Sequence, residues 1–420
     1  MGVLEQLGHR IKKDGIDLGD LGGSNMMNNI AIAKGVYSVG AIDWTKRDFH
    51  GYETPRGVTY NSYLIVDEKI CLIDAVKAPF ASELLERISQ IVDPAKIDYI
   101  VCNHTEPDHA SALPMIMEKA SQAKVVLTSQ GKDSIIKHYN KEYDFQVVKE
   151  GDSLDLGANK LQFMTLPMLH WPDSMASYLT GEEILFSNDA FGQHISTTKR
   201  FDDENEIHDV MQEAAKYYAN ILMPYSRLIG KALTKAETVK IKMIAPSHGV
   251  IWRSHIADII KKYEQWGSGY HDDTVVIVYD TMWGATEDMA RRILEGVAAS
   301  GAKGKLHRLN TSSMSDILND ILEAGGVILG SSTQHNTVLA TMGGFLYYLE
   351  GLKPVNKLGA AFSAHGWAGG ALKAMEDSLK RSGIAVEDPG LAVKWLANKE
   401  EQDRCFNFGL EFAKKIQENK

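Results

Sequence analysis

Asn103-His-Thr-Glu-Pro-Asp-His109 sets two imidazoles (His104, His109) and two carboxylates (Glu106, Asp108) within six positions. Nitrogen and oxygen donors this dense are metal-ligand chemistry. Three later stretches repeat one pattern, an apolar run followed by His or Asp and then a turn. Leu161–Leu166 leads to His170, Ile184–Phe186 to Asp189, and Ile241–Ala245 to His248. Each of these alone reads more readily as a structural residue, but the repetition makes them a set. Seven donors are too many for one tetrahedral zinc and suit two ions about 3.5 Å apart that share a carboxylate. Glu106, Asp108 and Asp189 leave two divalent cations with one excess positive charge, a field that accommodates oxidation. Mixed imidazole and carboxylate donors favour iron or manganese over the metals of a thiolate-rich site.

These side chains need rigid elements beneath them. Ile97–Cys102 is short, apolar and β-branched, the pattern of a buried strand opening into the ligand loop. Further strands are expected at Gly35–Gly40, Tyr60–Val66 and Ile70–Asp74, and helices at about Phe80–Val92, Glu206–Ala219 and Ile256–Trp266. Ligands at strand ends and strands alternating with helices predict an αββα sandwich over residues 30–268. His50, in the polar and aromatic stretch Asp43–Gly51, reads equally as an active-site neighbour or a loop histidine. Residues 1–29 read as a flexible leader, or a docking peptide, with Met26-Met27 a possible start site. The Gly, Ser and Asp content of Gly267–Asp273 marks a linker, with the boundary placed at 269–273.

From 274 to 420 strand and helix alternate. Strands are expected at Val275–Tyr279, Gly304–Arg308, Gly326–Gly330, Gly359–Ser363 and Gly383–Val386, with a last helix from about Lys399 to Ile416. This is the pattern of a doubly wound, flavodoxin-like parallel sheet, whose ligand sits at the carboxyl ends of the strands. Three loops lie there. The first holds Thr281, Met282, Trp283, Gly284, Ala285 and Thr286; its hydroxyls, its glycine and the helix start behind it suit a phosphate. It lacks the Gly-x-x-x-x-Gly-Lys spacing of a triphosphate loop, which favours a flavin monophosphate. The second loop holds Ser332, Thr333, Gln334, His335 and Asn336, and the third Ser363, Ala364, His365, Gly366, Trp367, Ala368 and Gly369. Trp367 among glycines is oddly placed for a core residue and suits stacking on an isoalloxazine ring.

Composition narrows the field. A formal charge of −10 and a pI near 5.8 argue against nucleic acid, and 44% hydrophobic with 24% charged residues is globular. Cys71, Cys102 and Cys405 form no Cys-x-x-Cys pair, which excludes a zinc ribbon or a rubredoxin-type iron site within this sequence. No signal-like or membrane-spanning apolar run is present, so a reducing cytoplasm is expected.

His104-x-Glu106-x-Asp108-His109 resembles the metallo-β-lactamase signature His-x-His-x-Asp-His, with Glu106 in place of the second histidine. With Leu169-His-Trp-Pro-Asp-Ser174, Ser187-Asn-Asp-Ala-Phe-Gly-Gln-His194, Ser247-His-Gly249 and Gly366-Trp-Ala-Gly-Gly370, the chain closely resembles flavodiiron proteins over roughly residues 30–415. The resemblance implies one iron on His104, Glu106 and His170 and a second on Asp108, His109 and His248, bridged by Asp189. It places His50 and Tyr218 in the substrate pocket and leaves His194 outside the ligand set. It implies FMN, a diiron site, and reduction of O2 to water or of NO to N2O. It further implies a head-to-tail homodimer or dimer of dimers; the external electron donor stays open, and a separate rubredoxin or a reduced deazaflavin (coenzyme F420) would each suit. Two other readings remain. One is a dinuclear metallo-hydrolase with a regulatory flavodoxin-like module, which Glu106 disfavours. The other is a redox-sensing or binding protein with a degenerate metal site, although no candidate ligand is missing.

Overall fold

Tyr63–Val66 and Ile70–Ile73 put Leu64 and Leu72 on one side of the pleat and Tyr63, Ile65, Cys71 and Ile73 on the other, all buried. A strand that is apolar on both faces must lie between two layers. The computed structural model, which describes residues 30–387 and 389–418, builds those layers. The expectations for residues 1–29 lie outside the described residues.

A seven-stranded sheet runs Ile30–Ala33, Val36–Ser38, Tyr63–Val66, Ile70–Ile73, Tyr99–Val101, Lys124–Leu127, Phe145–Val147, antiparallel at first and parallel from Ile70–Ile73 onward. A five-stranded sheet faces it, in the order Ser153–Asp155, Lys160–Thr165, Met175–Leu179, Ile184–Asn188, Met243–Pro246. Between them, Ile65, Ile73 and Val101 pack with Phe163, Met175 and Phe186. Helices Ala81–Ser89 and Leu113–Lys119 cover the first sheet through Leu84, Ile88 and Ile116. Helices Ile207–Tyr217, Ser226–Ala236 and Ile256–Ser268 bring Val210, Ile229 and Ile259 into one core with Ile244 of the second. This is an αββα sandwich.

Two local expectations needed correction. The run Tyr60–Val66 is two strands, Val58–Tyr60 and Tyr63–Val66. Asn61 breaks it because its side-chain amide donates to the carbonyls of Pro246 and Gly249, each at 2.9 Å, tying this bend to the His248 loop. Helix Ile256–Ser268 runs on through Gly267 and Ser268, and stops at Gly269 with φ 76°, a left-handed turn that favours glycine.

The third sheet is parallel throughout, in the order Gly304–Arg308, Val275–Asp280, Gly326–Ser332, Leu358–His365. Helices Ala285–Ala299 and Lys399–Glu418 pack on one face through Ile293, Val297 and Phe412. Helices Met314–Glu323, Ala340–Leu352 and Ala371–Arg381 pack on the other through Ile317, Phe345 and Leu379. This is the doubly wound, flavodoxin-like sheet. Its far edge differs from expectation. Only Ala385–Val386 of the expected Gly383–Val386 pairs, and a strand the sequence pattern missed, Leu391–Lys394, continues along Leu358–His365 to the ligand end. The two halves meet through Lys216 Nζ to Asp316 at 2.6 Å, Trp266 Nε1 to Glu323 at 2.7 Å and Tyr348 to Asn220 at 2.6 Å.

Candidate metal centre and flavin groove

Strand Tyr99–Val101 delivers the ligand loop, and Asp74 fixes its start, accepting from the Asn103 amide at 2.7 Å and from its side chain at 3.2 Å. Pro107, which supplies no N–H and has its φ preset, opens a single helical turn, Pro107–Ala110, carrying Asp108 and His109. His170 follows Lys160–Thr165, Asp189 follows Ile184–Asn188, and His248 follows Met243–Pro246. Both sheets therefore point their loops at one spot.

There the seven candidate ligands sort into two matched groups. In one, His170 Nε2 lies 3.2 Å from Glu106 Oε2 and 3.3 Å from Asp189 Oδ2, and His104 Nε2 lies 3.2 Å from Glu106 Oε2 and 3.7 Å from Asp189 Oδ2. In the other, His109 Nε2 lies 3.3 Å from Asp108 Oδ2 and 3.1 Å from Asp189 Oδ1, while His248 Nε2 lies 3.1 and 3.6 Å from the same two oxygens. Each group has two imidazoles, one carboxylate of its own and one oxygen of Asp189.

A backing layer orients these rings. His104 donates from Nδ1 to Asp173 Oδ2 at 3.1 Å, and Asp173 also accepts from the Thr105 amide and hydroxyl, each at 2.7 Å. His248 donates from Nδ1 to the Thr59 carbonyl at 2.6 Å. In both rings Nε2 is thereby left to face the cluster. Asp173 lies inside the Leu169–Ser174 motif with no role legible from the sequence; only its distance to His104 reveals one.

The residues fit a pair of cations. Asp108 Oδ1 and Oδ2, Asp189 Oδ2 and Nε2 of His109, His170 and His248 are buried without a hydrogen-bond partner. They approach one another without hydrogen-bond alignment, as donors do when they converge on a common point. Leaving such groups dry and unpaired is strongly unfavourable, and a cation at each focus removes the penalty. The electrostatics agree. Burial opposes charge on His104, but hydrogen bonds to Asp173 and Glu106 outweigh it and push its imidazole up to about 10. Burial likewise opposes ionisation of Asp189, but His109 and His170 hold its carboxyl well below the usual range. The cavity calls for positive charge.

His50 lies beside both groups, with Nε2 3.4 Å from Glu106 Oε1 and 3.9 Å from Asp108 Oδ2. Tyr218 does not line this pocket. It is fully buried, bonds Ser226 at 2.9 Å and packs on Tyr263 and Trp266. Its neighbour Tyr217 faces the cluster and donates to Asp189 Oδ1 at 2.8 Å. Adjacent helical residues point about 100° apart, so an error of one position reverses the assignment. His194 stands beside the ligands with its ring 4.8 Å from that of His248; burial pushes its imidazole well down, and neither nitrogen has a partner.

The second feature is an open groove of about 300 Å³ at the carboxyl ends of the third sheet. Met282, Trp283, Ala285, Ser332, Thr333, Ala364, His365 and Gly366 line it, joined by Trp395 and Leu396. The last two directly follow the unexpected strand Leu391–Lys394. At the groove's base Thr286 and Ser332 hydroxyls lie 2.8 Å apart, and Thr281 Oγ1 accepts from the Gly284 amide at 3.1 Å. Gly284, at φ 91° with nothing within 4 Å of a Cβ position, opens helix Ala285–Ala299 and leaves its positive end clear for an anion. Gln334 pairs with Thr337, and His335 and Asn336 form the exposed tip of that turn. Ser363 is buried beside Thr333, and Trp367, Ala368 and Gly369 are exposed. Trp283 and Trp367 are 91% and 89% exposed, and Trp395 lies 6.2 Å from Trp367. Aromatic surface left open around a hydroxyl-lined base fits a flat ring with a phosphate tail.

Comparison with known proteins accounts for both halves. Residues 58–249 match the family described as ODP family beta lactamase, and residues 277–409 match flavodoxin. A nitric oxide reductase of Moorella thermoacetica is 47% identical over 397 residues, 93% of this chain and 100% of that protein. The rubredoxin oxygen:oxidoreductase structure from Desulfovibrio gigas aligns with a TM-score of 0.91 at 38% identity, covering 93% of this chain and 99% of that one. The flavodiiron protein from Giardia intestinalis aligns with a TM-score of 0.92 at 34% identity, covering 94% and 98%. With a single arrangement of both halves shared along nearly the whole chain, the protein belongs to the flavodiiron family of oxidoreductases.

Proposed function

We propose that this protein reduces O2 to water, NO to N2O, or both, at a pair of non-haem irons, with electrons drawn through FMN from an external donor. The observation that carries this reading is Asp189, whose two oxygens face two matched donor sets. His104, Glu106 and His170 would hold one iron and Asp108, His109 and His248 the other, with Asp189 shared. When bound, the irons supply electrons and open positions for a small oxidant, and FMN relays electrons to them. Asp173 and Thr59 hold two rings in the tautomer that frees Nε2. His50 Nε2 faces the gap between Glu106 and Asp108 and would orient a small oxidant there. The buried rings of Phe49, which packs on His248 and His194, and of Tyr52, which stacks on His194, keep water from that side of the cluster.

FMN would lie in the groove, its phosphate at the Thr281–Thr286 loop and its ring among Trp283, Trp367 and Trp395, with the Ser332–Asn336 and Ser363–Gly369 loops at its edges. Residues 30–268 are the metal domain and 274–420 the flavin domain, joined by 269–273. The exposed tryptophans support a head-to-tail homodimer, or a dimer of dimers, in which a second copy covers that rim. Among the described residues no helix is long and apolar enough to cross a membrane, and a cytoplasmic setting is the one proposed. The relatives, a nitric oxide reductase and a rubredoxin oxygen:oxidoreductase, support NO or O2 as oxidant and rubredoxin as donor, with a reduced deazaflavin the other donor.

The test is iron, zinc and flavin content per chain on anaerobically purified protein, followed by NO and O2 consumption with a reduced donor. Two irons, one FMN and turnover are expected. Two zincs without flavin, after expression with added iron and riboflavin, would replace this reading with the hydrolase.

A further inference from the structure

Behind the metal ligands lies a cavity that contains none of them. Leu169 and Ala190, chain neighbours of His170 and Asp189, form its floor with Phe191, all buried. Leu166, Ala232 and Ala236 form a partly exposed mouth. Its volume is about 30 Å³, enough for one small guest. Both hydroxyl groups on its wall are already engaged: Ser187 Oγ donates to the Ala190 carbonyl at 2.6 Å, and Tyr263 accepts from the Phe191 amide at 2.6 Å. A water molecule needs two to four polar partners to settle in a cavity, and this wall leaves it only the Tyr263 proton and a lone pair of Ser187, the lower limit of that range. A neutral, apolar diatomic has no such requirement and gains dispersion contacts on every side.

We propose that this cavity is a binding and transit site for an apolar diatomic gas, running from the helix Ser226–Ala236 surface to the back of the metal cluster. It rests on the functional reading above and supplies what that reading lacks, a dry route by which a gas, but not water or an anion, reaches a buried centre. The route enters through Ala232 and Ala236 and ends at Leu169 and Ala190, one residue from a candidate ligand in each group.

Xenon tests the site because it is apolar and close in size to the gas. In crystals of the holoenzyme pressurised with xenon, one peak is expected among Leu169, Ala190 and Leu233. Ala232→Phe, at the mouth and remote from every ligand, should abolish that peak and raise the KM for NO or O2 several-fold with kcat unchanged. An empty cavity in the wild-type xenon map overturns the proposal even if the variant does not fold. Loss of the peak with an unchanged KM overturns the transit role. If the loaded protein consumes neither gas, the functional reading falls on its own, and the xenon map still decides whether the cavity takes an apolar guest.

Discussion

The candidate metal centre and the candidate flavin groove are built on opposite physical terms. The first gathers charged side chains from the loops of two facing sheets and buries them, so that Asp189 and His248 are wholly inaccessible. The second gathers loops from one edge of a single sheet and leaves its largest side chains in solvent, Trp283 and Trp367 above all. In a dry interior an unpaired carboxylate or imidazole is heavily penalised, so each member of the cluster constrains the rest. In an open groove water replaces any missing partner, and single residues matter less. The molecule thus pairs a rigid centre that is intolerant of change with a shallow site that depends on summed surface.

That contrast should appear in variants. The largest effect is expected for Asp189→Ala, which removes an oxygen from both groups. The coupled iron pair and all gas turnover should be lost, and two coupled irons by Mössbauer spectroscopy would refute the bridge. Asp173→Asn should lower metal affinity or activity by about 10–100-fold, the usual effect of losing a carboxylate behind a ligand histidine, measured by chelator competition. Tyr217→Phe deletes a hydrogen bond to a carboxylate, worth about 1.5 kcal/mol or more, and should weaken metal retention by roughly tenfold. Tyr218→Phe loses only its bond to Ser226 and should leave iron content unchanged; equal effects from the two tyrosines would erase the distinction between them. The smallest effect belongs to the groove. Trp395→Ala should weaken FMN by a few-fold, given about 0.5–1.5 kcal/mol for an aromatic stack, and Trp367→Ala by less, as read by flavin fluorescence titration. A groove variant that emptied the metal centre would break the comparison itself.

Much of this was legible before any coordinates. The four loops that bear His104 to His109, His170, Asp189 and His248 each follow an apolar run too short for a helix and ended by a turn, which is what marks it as a buried strand. The parallel sheet was readable from strands alternating with helices, apart from its edge. Leu391–Lys394 is short and mixed, with Lys394 exposed, so its strand character comes from pairing with Leu358–His365 and not from its own pattern. Trp395, set by that strand at the groove, was missed for the same reason. Tyr217 and Tyr218 are chemically identical neighbours, and helix phase, which the π-turn at Tyr218–Leu222 ends, alone decides which one meets Asp189.

The sequence by itself determined the donor types, their order along the chain and the two layered architectures, because periodicity and residue chemistry are local properties. Tertiary structure decided the rest: that Asp189 turns one oxygen to each set, that Asp173 stands behind His104, and that Tyr217 faces inward. It also decided that an apolar cavity ends at Leu169 and Ala190. Those facts depend on distances between segments far apart in the chain, which are fixed only when the sheets pack face to face and their loops have nowhere else to go.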